Sequence, residues 1–295
     1  LPMPADLVEF WERTKKELAK TELNASLEEV PDLSGRDYTT YGVAMDSFQG
    51  HRIRAWYTVP KDASAKRGLP AVLAVPGYGG VKPIPTYLAT AGFAILTLFP
   101  RGQGESLEEW ELEFGTKLTY HIEDKEEYYY RGAYMDCLRG LDFLCYRQEI
   151  DSERLGMWSR SQGGGLTLAT AALDSRLQVA VAEEPFLCNY PVAIDVETRP
   201  YSELGEYLAQ HPEQRQSMLQ TLAYFDPLNL AESIRCPILM DIGMKDPTCP
   251  YPTIMPVFEK IPGPKAIHVY PDLNHNPCTD FNAHAMSWLR RYLGA

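Results

Sequence analysis

The stretch Ser159-Arg160-Ser161-Gln162-Gly163-Gly164-Gly165 holds the residues best suited to chemistry. It follows a short apolar run, Arg154 to Trp158, that reads as a buried strand. It precedes Leu166 to Leu173, an Ala/Leu/Thr run with helical spacing. Strand, tight turn with a serine, then helix is the setting of a nucleophile elbow, where the turn pushes a hydroxyl clear of the sheet. The glycines permit strained dihedrals and a close approach of helix to strand. Ser159 stands where the first glycine of G-x-S-x-G is expected, and serine is small enough to fit. The competing reading is a Gly/Ser loop between two elements.

A serine nucleophile needs an imidazole and an acid, which in this arrangement follow in the order Ser, Asp/Glu, His. Open α/β sheets build their sites at the carboxyl ends of strands. The apolar run Ile238 to Ile242 ends in Gly243-Met244-Lys245-Asp246-Pro247, so Asp246 lies just past a strand end. Its rival, Asp241, falls inside the strand. The next run, Ala266 to Tyr270, ends in Pro271-Asp272-Leu273-Asn274-His275-Asn276-Pro277. Of the six histidines, only His275 sits on a strand-end loop downstream of Asp246. His268 is inside a strand, His284 inside the last helix, His51 and His121 precede the serine, and His211 lies in a polar segment. Ser161 is therefore expected to attack an ester carbonyl, His275 to take its proton, and Asp246 to orient the imidazole. One oxyanion donor is the backbone N–H of Gln162, the residue after the nucleophile. The second is assigned to Tyr78 N–H, in the loop Pro76-Gly77-Tyr78-Gly79-Gly80 that follows the apolar run Ala71 to Val75. Those glycines match neither Rossmann nor P-loop spacing.

These groups must be positioned by alternating elements. Val43 to Asp46 and Ile53 to Val59 read as a hairpin turning near Gly50. Ala71 to Val75 and Phe93 to Phe99 are unbroken apolar runs that read as strands covered on both faces, and Leu155 to Trp158, Val179 to Ala182, Ile238 to Ile242 and Ala266 to Tyr270 read as further apolar strands. Helices are predicted over residues 6–22, 85–91, 126–147, with Tyr130, Tyr134, Cys137, Leu138, Leu141 and Leu144 on one stripe, and 279–292. The pattern implies a mostly parallel central sheet between helical layers, in one domain spanning 1–295. An N-terminal helical arm covers about 1–35. The polar, helix-rich stretch 185–224 sits where such folds accept a cap.

Composition narrows the partners. The 295 residues carry 28 Lys and Arg against 40 Asp and Glu, a net charge of −12, which argues against nucleic acid and anionic membrane surfaces. No apolar run is long enough to span a bilayer. Leu1 to Asp6 has neither a basic nor an apolar signal region, and the six cysteines form no C-x-x-C pair, so a reducing cytoplasm is expected. No zinc spacing such as H-E-x-x-H occurs, and no metal or cofactor is expected.

With these residues in place, the chain resembles the acetyl xylan esterase and cephalosporin C deacetylase family, carbohydrate esterase family 7. The resemblance is carried by Pro4-Ala5-Asp6 with Phe10-Trp11, Gly77-Tyr78-Gly79-Gly80, Arg101-Gly102-Gln103-Gly104 and Glu127-Tyr128-Tyr129-Tyr130-Arg131-Gly132. It continues through Ser161-Gln162-Gly163-Gly164-Gly165, Pro185-Phe186-Leu187-Cys188, Tyr224-Phe225-Asp226-Pro227 and Asp246-Pro247-Thr248-Cys249-Pro250. It implies an α/β-hydrolase fold and cofactor-free removal of acetyl groups from sugars or small molecules. It also implies a cytoplasmic homohexamer, a triad on Ser161, Asp246 and His275, oxyanion amides on Tyr78 and Gln162, and substrate contacts near Pro185 and Phe186. The family usually has Gly at 159, His at 76, Asp near 100, Glu at 276 and Gly-His at 273–274, where this chain has Ser159, Pro76, Pro100, Asn276 and Leu273-Asn274. Arg101 and Gln103 are expected to support the site loops. The alternatives are another hydrolase activity on the same scaffold, on lactones, thioesters or peptides, and a non-catalytic binding protein.

Overall fold

The computed structural model describes residues 3–61 and 68–294. Positions 1 and 2 of the expected N-terminal arm, and position 295, lie outside it. Helix α1 spans Leu7–Leu18 and strand β1 Ser26–Glu29; β2 (Tyr38–Asp46) and β3 (Arg52–Pro60) then form the expected hairpin. It turns at Gln49 and Gly50, whose φ values are 60° and 76°. Glycine at the second position relieves the steric cost of left-handed backbone.

Strand β4 (Leu69–Ala74), helix α2 (Thr86–Thr90), β5 (Ala94–Phe99), α3 (Tyr129–Tyr146), β6 (Ile150–Arg160), α4 (Gln162–Leu173) and β7 (Leu177–Glu183) follow. Helices α5 (Tyr190–Ala193), α6 (Ser202–Gln210), α7 (Arg215–Phe225) and α8 (Pro227–Leu230) interrupt the alternation. It resumes with β8 (Ile238–Gly243), α9 (Tyr251–Lys260), β9 (Lys265–Tyr270) and α10 (Thr279–Leu293). The nine strands form one sheet in the order β1-β2-β3-β5-β4-β6-β7-β8-β9. Pairing is antiparallel up to β5 and parallel from there on.

The apolar runs of β4, β5, β7 and β8 are buried on both faces, with side chains dividing at period two, whereas β9, at the sheet edge, is only partly covered and leaves Val269 half exposed. Ala71, Leu73 and Val75 face the core beneath α3 and α4, while Val72 faces a second core with Leu88, Phe281 and Leu289 from α2 and α10. The chain leaves β4 towards β5 on one side and leaves β6 towards β7 on the other. The carboxyl ends of β4 and β6 therefore flank a topological switch point, where a crevice opens.

Two expectations need correction. The helix predicted from Glu126 begins at Tyr129, because Tyr128 is extended and turns its ring into the core, its hydroxyl donating to Leu118 O at 3.0 Å. Nor is α3 a one-stripe helix. It is buried on nearly every side because α1 covers the face turned away from the sheet. The arm spends its apolar face within its own chain. Trp11 stacks on Tyr134 at 5.6 Å between ring centroids, and its indole N–H donates to Tyr224 O at 3.0 Å. The segment 185–224 has an apolar interior, with Tyr190, Tyr201, Leu204, Met218 and Leu222 buried alongside the polar Asn189, Glu203 and Thr221.

Trp11→Ala removes a buried ring and leaves Tyr224 O without its donor. Urea unfolding should show a loss of about 3–5 kcal/mol; a change within about 0.5 kcal/mol would contradict the packing described.

Candidate active site

Ser161 occupies the turn between β6 and α4 with φ 59° and ψ −122°. A non-glycine residue there costs about 1–3 kcal/mol and persists only when its surroundings hold it. They do. Ser161 N–H donates to Glu183 O at 2.9 Å, and Ser161 O accepts from Phe186 N–H at 2.9 Å and Gly165 N–H at 3.1 Å. Helix α4 starts at Gln162, four residues before the apolar run predicts, so the glycines form its first turn. A Cβ on Gly165 would lie 2.1 Å from Phe186 O, and one on Gly163 would lie 2.6 Å from Ser159 Cβ. The Ser159 hydroxyl is used: it accepts the Val75 N–H at 2.9 Å and so caps the end of β4.

Past β8 and β9 the loops bring the other two residues to this turn. His275 Nε2 is 3.0 Å from Ser161 Oγ, and His275 Nδ1 is 2.7 Å from Asp246 Oδ2. Asp246 Oδ1 accepts the N–H groups of Thr248 and Cys249 at 2.7 and 2.9 Å. The buried carboxylate is thus held by backbone on one side and receives Nδ1–H on the other. That fixes the tautomer in which the Nε2 lone pair faces the serine hydroxyl. Cys249 brings a third donor atom within 4.8 Å of Asp246 and His275. The carboxylate oxygens are already engaged, which suits a hydrogen-bond relay better than a metal ion.

Asp241 is buried within β8, and its Oδ1 accepts Glu184 N–H at 2.8 Å. Burial, and then the neighbouring Glu183, push its pKa up to about 8. It is protonated at neutral pH and lies within the sheet, whereas Asp246 lies on the loop beyond it.

Loop 76–80 lies against Ser161: a Cβ on Gly77 would be 3.9 Å from Ser161 Cβ. Among the described residues, neither Tyr78 nor Gln162 has an acceptor for its backbone N–H. The Gln162 side chain ties the two together, donating to Pro76 O at 3.3 Å, Gly77 O at 3.2 Å and Gln103 Oε1 at 3.0 Å. Its Oε1 accepts from Tyr130 OH at 2.9 Å. Gln103 also donates to Tyr129 OH at 2.7 Å. Arg101 is buried against Asp136 at 2.8 Å. Both residues therefore support the loops from behind. Pro185 and Phe186 are buried beside the elbow, Pro185 against Gly164 and Phe186 against the Tyr78 ring at 5.8 Å. Asn274 and Asn276 flank His275 on the exposed face of its loop.

Two supporting carboxylates are absent from the sequence reading. Glu184 Oε2 lies 3.6 Å from His275 Nδ1 and accepts Arg160 Nε–H at 2.8 Å. Its only sequence signal is a position just past the strand Val179 to Ala182. Glu203, on α6, accepts the Tyr78 hydroxyl at 2.6 Å and anchors loop 76–80 to segment 185–224. No local pattern points to it.

A family model described as acetyl xylan esterase matches residues 1–292. An acetyl esterase of Xylanibacter ruminicola is 29% identical over 301 residues, covering 98% of this chain and 67% of that protein. The solved acetyl xylan esterase from Paenibacillus sp. R4 superposes with a TM-score of 0.92 at 34% identity, covering 99% of this chain and 96% of the other. Acetyl xylan esterase 1 from Thermoanaerobacterium sp. JW/SL YS485 gives 0.90 at 27% identity, covering 99% and 95%.

Asp241→Asn preserves the acceptor for Glu184 N–H, so esterase activity at pH 7 should stay near wild type. The raised folded-state pKa means the native chain keeps a proton the unfolded chain has lost, so wild-type stability falls as pH rises from about 4 through 8. Urea unfolding at pH 6 and 9 should therefore favour the variant increasingly as pH rises; an unchanged difference would contradict this protonation state.

Proposed function

Since the chain belongs to the acetyl xylan esterase family, we propose that it is a serine esterase that removes acetyl groups from sugars and other small molecules through an acyl-enzyme on Ser161. The observation that carries this is the continuous line from Ser161 Oγ through His275, at 3.0 Å, to Asp246, at 2.7 Å. As Oγ attacks the acetyl carbonyl, His275 Nε2 takes the hydroxyl proton. Asp246 holds the imidazolium in place by accepting from Nδ1–H. Negative charge develops on the carbonyl oxygen, which turns towards the N–H groups of Tyr78 and Gln162. One such donor is worth about two to three powers of ten in rate. Collapse breaks the C–O bond, and His275 returns its proton to the departing alcohol. Water then repeats the sequence on the acetyl-serine and releases acetate.

The finer reading extends to the alcohol and the setting. Among the departures from the family pattern, Pro76, Leu273, Asn274 and Asn276 fall in the loops that carry Tyr78 and His275, and none replaces Ser161, Asp246 or His275. We read them as shaping tolerance for the leaving alcohol, so that acetylated antibiotics of the cephalosporin type join acetylated sugars as substrates. Six free cysteines, four of them buried, favour a reducing cytoplasm. A homohexamer is the assembly the resemblance implies, and light scattering should return a multiple of 33.3 kDa; a monomer alone would refute it.

The test is hydrolysis of 4-nitrophenyl acetate, acetylated xylo-oligosaccharides and an acetylated cephalosporin. Ser161→Ala should lose about 10⁶-fold in kcat and Asp246→Asn about 10⁴-fold, with unfolding midpoints close to wild type. Rates should fall as the acyl chain lengthens from acetyl. A Ser161→Ala variant as active as wild type, or peptide cleavage faster than deacetylation, would overturn the reading.

A further inference from the structure

Two histidines take no part in the ester chemistry, yet the fold brings them together. Strand β9 closes one edge of the sheet, and Ala266, His268 and Tyr270 project towards α10. His284 from α10 lies over His268, with ring centroids 4.1 Å apart and planes inclined by 30°. Asp280, one helical turn before His284, has Oδ2 at 3.6 Å from His284 Nε2. The Tyr270 hydroxyl donates to that carboxylate at 2.9 Å. One donor atom each from His268, Asp280 and His284 falls within 4.8 Å of the other two.

We propose that His268, Asp280 and His284 form a binding site for a divalent transition ion of the Zn²⁺ class. Two imidazoles with one carboxylate are the borderline-soft set that such ions select over Mg²⁺ or Ca²⁺. Tetrahedral coordination with bonds of about 2.1 Å needs donor atoms roughly 3.4 Å apart. The donor atoms lie within 4.8 Å of one another, so a contraction of at most about 1.4 Å suffices, and Asp280 and His284, whose side chains are 67% and 47% exposed, can supply it. Spacing of i, i+4 puts both on one helix face, and Tyr270 orients the carboxylate from behind, as outer partners of metal ligands do. The fourth position opens to solvent. The ligands come from a strand and the following helix, which is why no contiguous H-E-x-x-H pattern announces them. Residues 271–278, the loop that carries His275, run between these two stems, so the bound ion ties the loop's ends together.

The whole chain, stripped with EDTA and freed of chelator, is titrated with ZnCl₂ by calorimetry and by thermal unfolding, with MgCl₂ as the hard-ion control. One Zn²⁺ per chain should bind and raise the unfolding midpoint, while Mg²⁺ should do neither. The exposed substitutions His284→Ala and Asp280→Asn should each weaken Zn²⁺ binding by about tenfold or more and leave metal-free esterase activity unchanged. His275→Ala, which dismantles the other group of ligand-type residues, should bind Zn²⁺ as wild type does. An unmoved midpoint in wild type, undiminished binding in His284→Ala, or binding lost in His275→Ala would each overturn the proposal.

Discussion

The approach of α4 to the sheet constrains everything built around it. Ser161 holds a positive φ because its N–H and C=O are bonded to Glu183, the last residue of β7, and Phe186, just beyond it. Those bonds form only if the first turn of the helix comes down onto residues 183–187, where a Cβ at position 165 would lie 2.1 Å from Phe186 O. The glycines are therefore a packing requirement first and a matter of backbone freedom second. Once the turn is seated, the hydroxyl stands over the crevice between β4 and β6. The β8 and β9 loops then deliver a carboxylate and an imidazole in line with it.

A second layer fixes the electrophilic side of the site. Gln162 contributes its backbone N–H to the crevice and, through its side chain, grips the carbonyls of Pro76 and Gly77. Tyr129, Tyr130 and Gln103 orient that side chain from α3 and the loop after β5. Tyr78 is held from the opposite direction by Glu203 on α6. The two proposed oxyanion donors are thus coupled through one glutamine and clamped between the core and the cap segment. That accounts for a buried polar network whose members come from four separate regions of the chain.

Much of this was legible in the amino-acid order, for physical reasons. Strands β4, β5, β7 and β8 are covered on both faces, so they show as unbroken apolar runs, and their ends locate Tyr78, Asp246 and, after β9, His275. Where the environment is one-sided or purely tertiary, the pattern is silent. Strand β1, Ser-Leu-Glu-Glu, pairs through its backbone at the sheet edge and leaves its side chains largely outside. Helix α9 has no counterpart in the sequence reading because it contains Pro252 and Pro256. Pro252 falls in the first turn, where no N–H is required. Pro256 frees the carbonyl of Pro252, which accepts instead from the Asn189 side chain at 3.1 Å. The family resemblance supplied what spacing alone left open, namely the acetyl group and the place of the Arg-Gly-Gln and triple-tyrosine elements. Glu184 and Glu203 reach the site through Arg160, His275 and Tyr78, all distant in the chain, so no local signal marks that role.

The central claim is that one hydroxyl, activated by His275, delivers its acyl oxyanion to the amides of Tyr78 and Gln162. A crystal structure of the chain after reaction with diethyl 4-nitrophenyl phosphate tests this most directly. A phosphoryl group should stand on Ser161 Oγ, with its unesterified oxygen about 2.7–3.1 Å from both N–H groups. A phosphoryl group on another residue, or on Ser161 with that oxygen turned away from both amides, would contradict it.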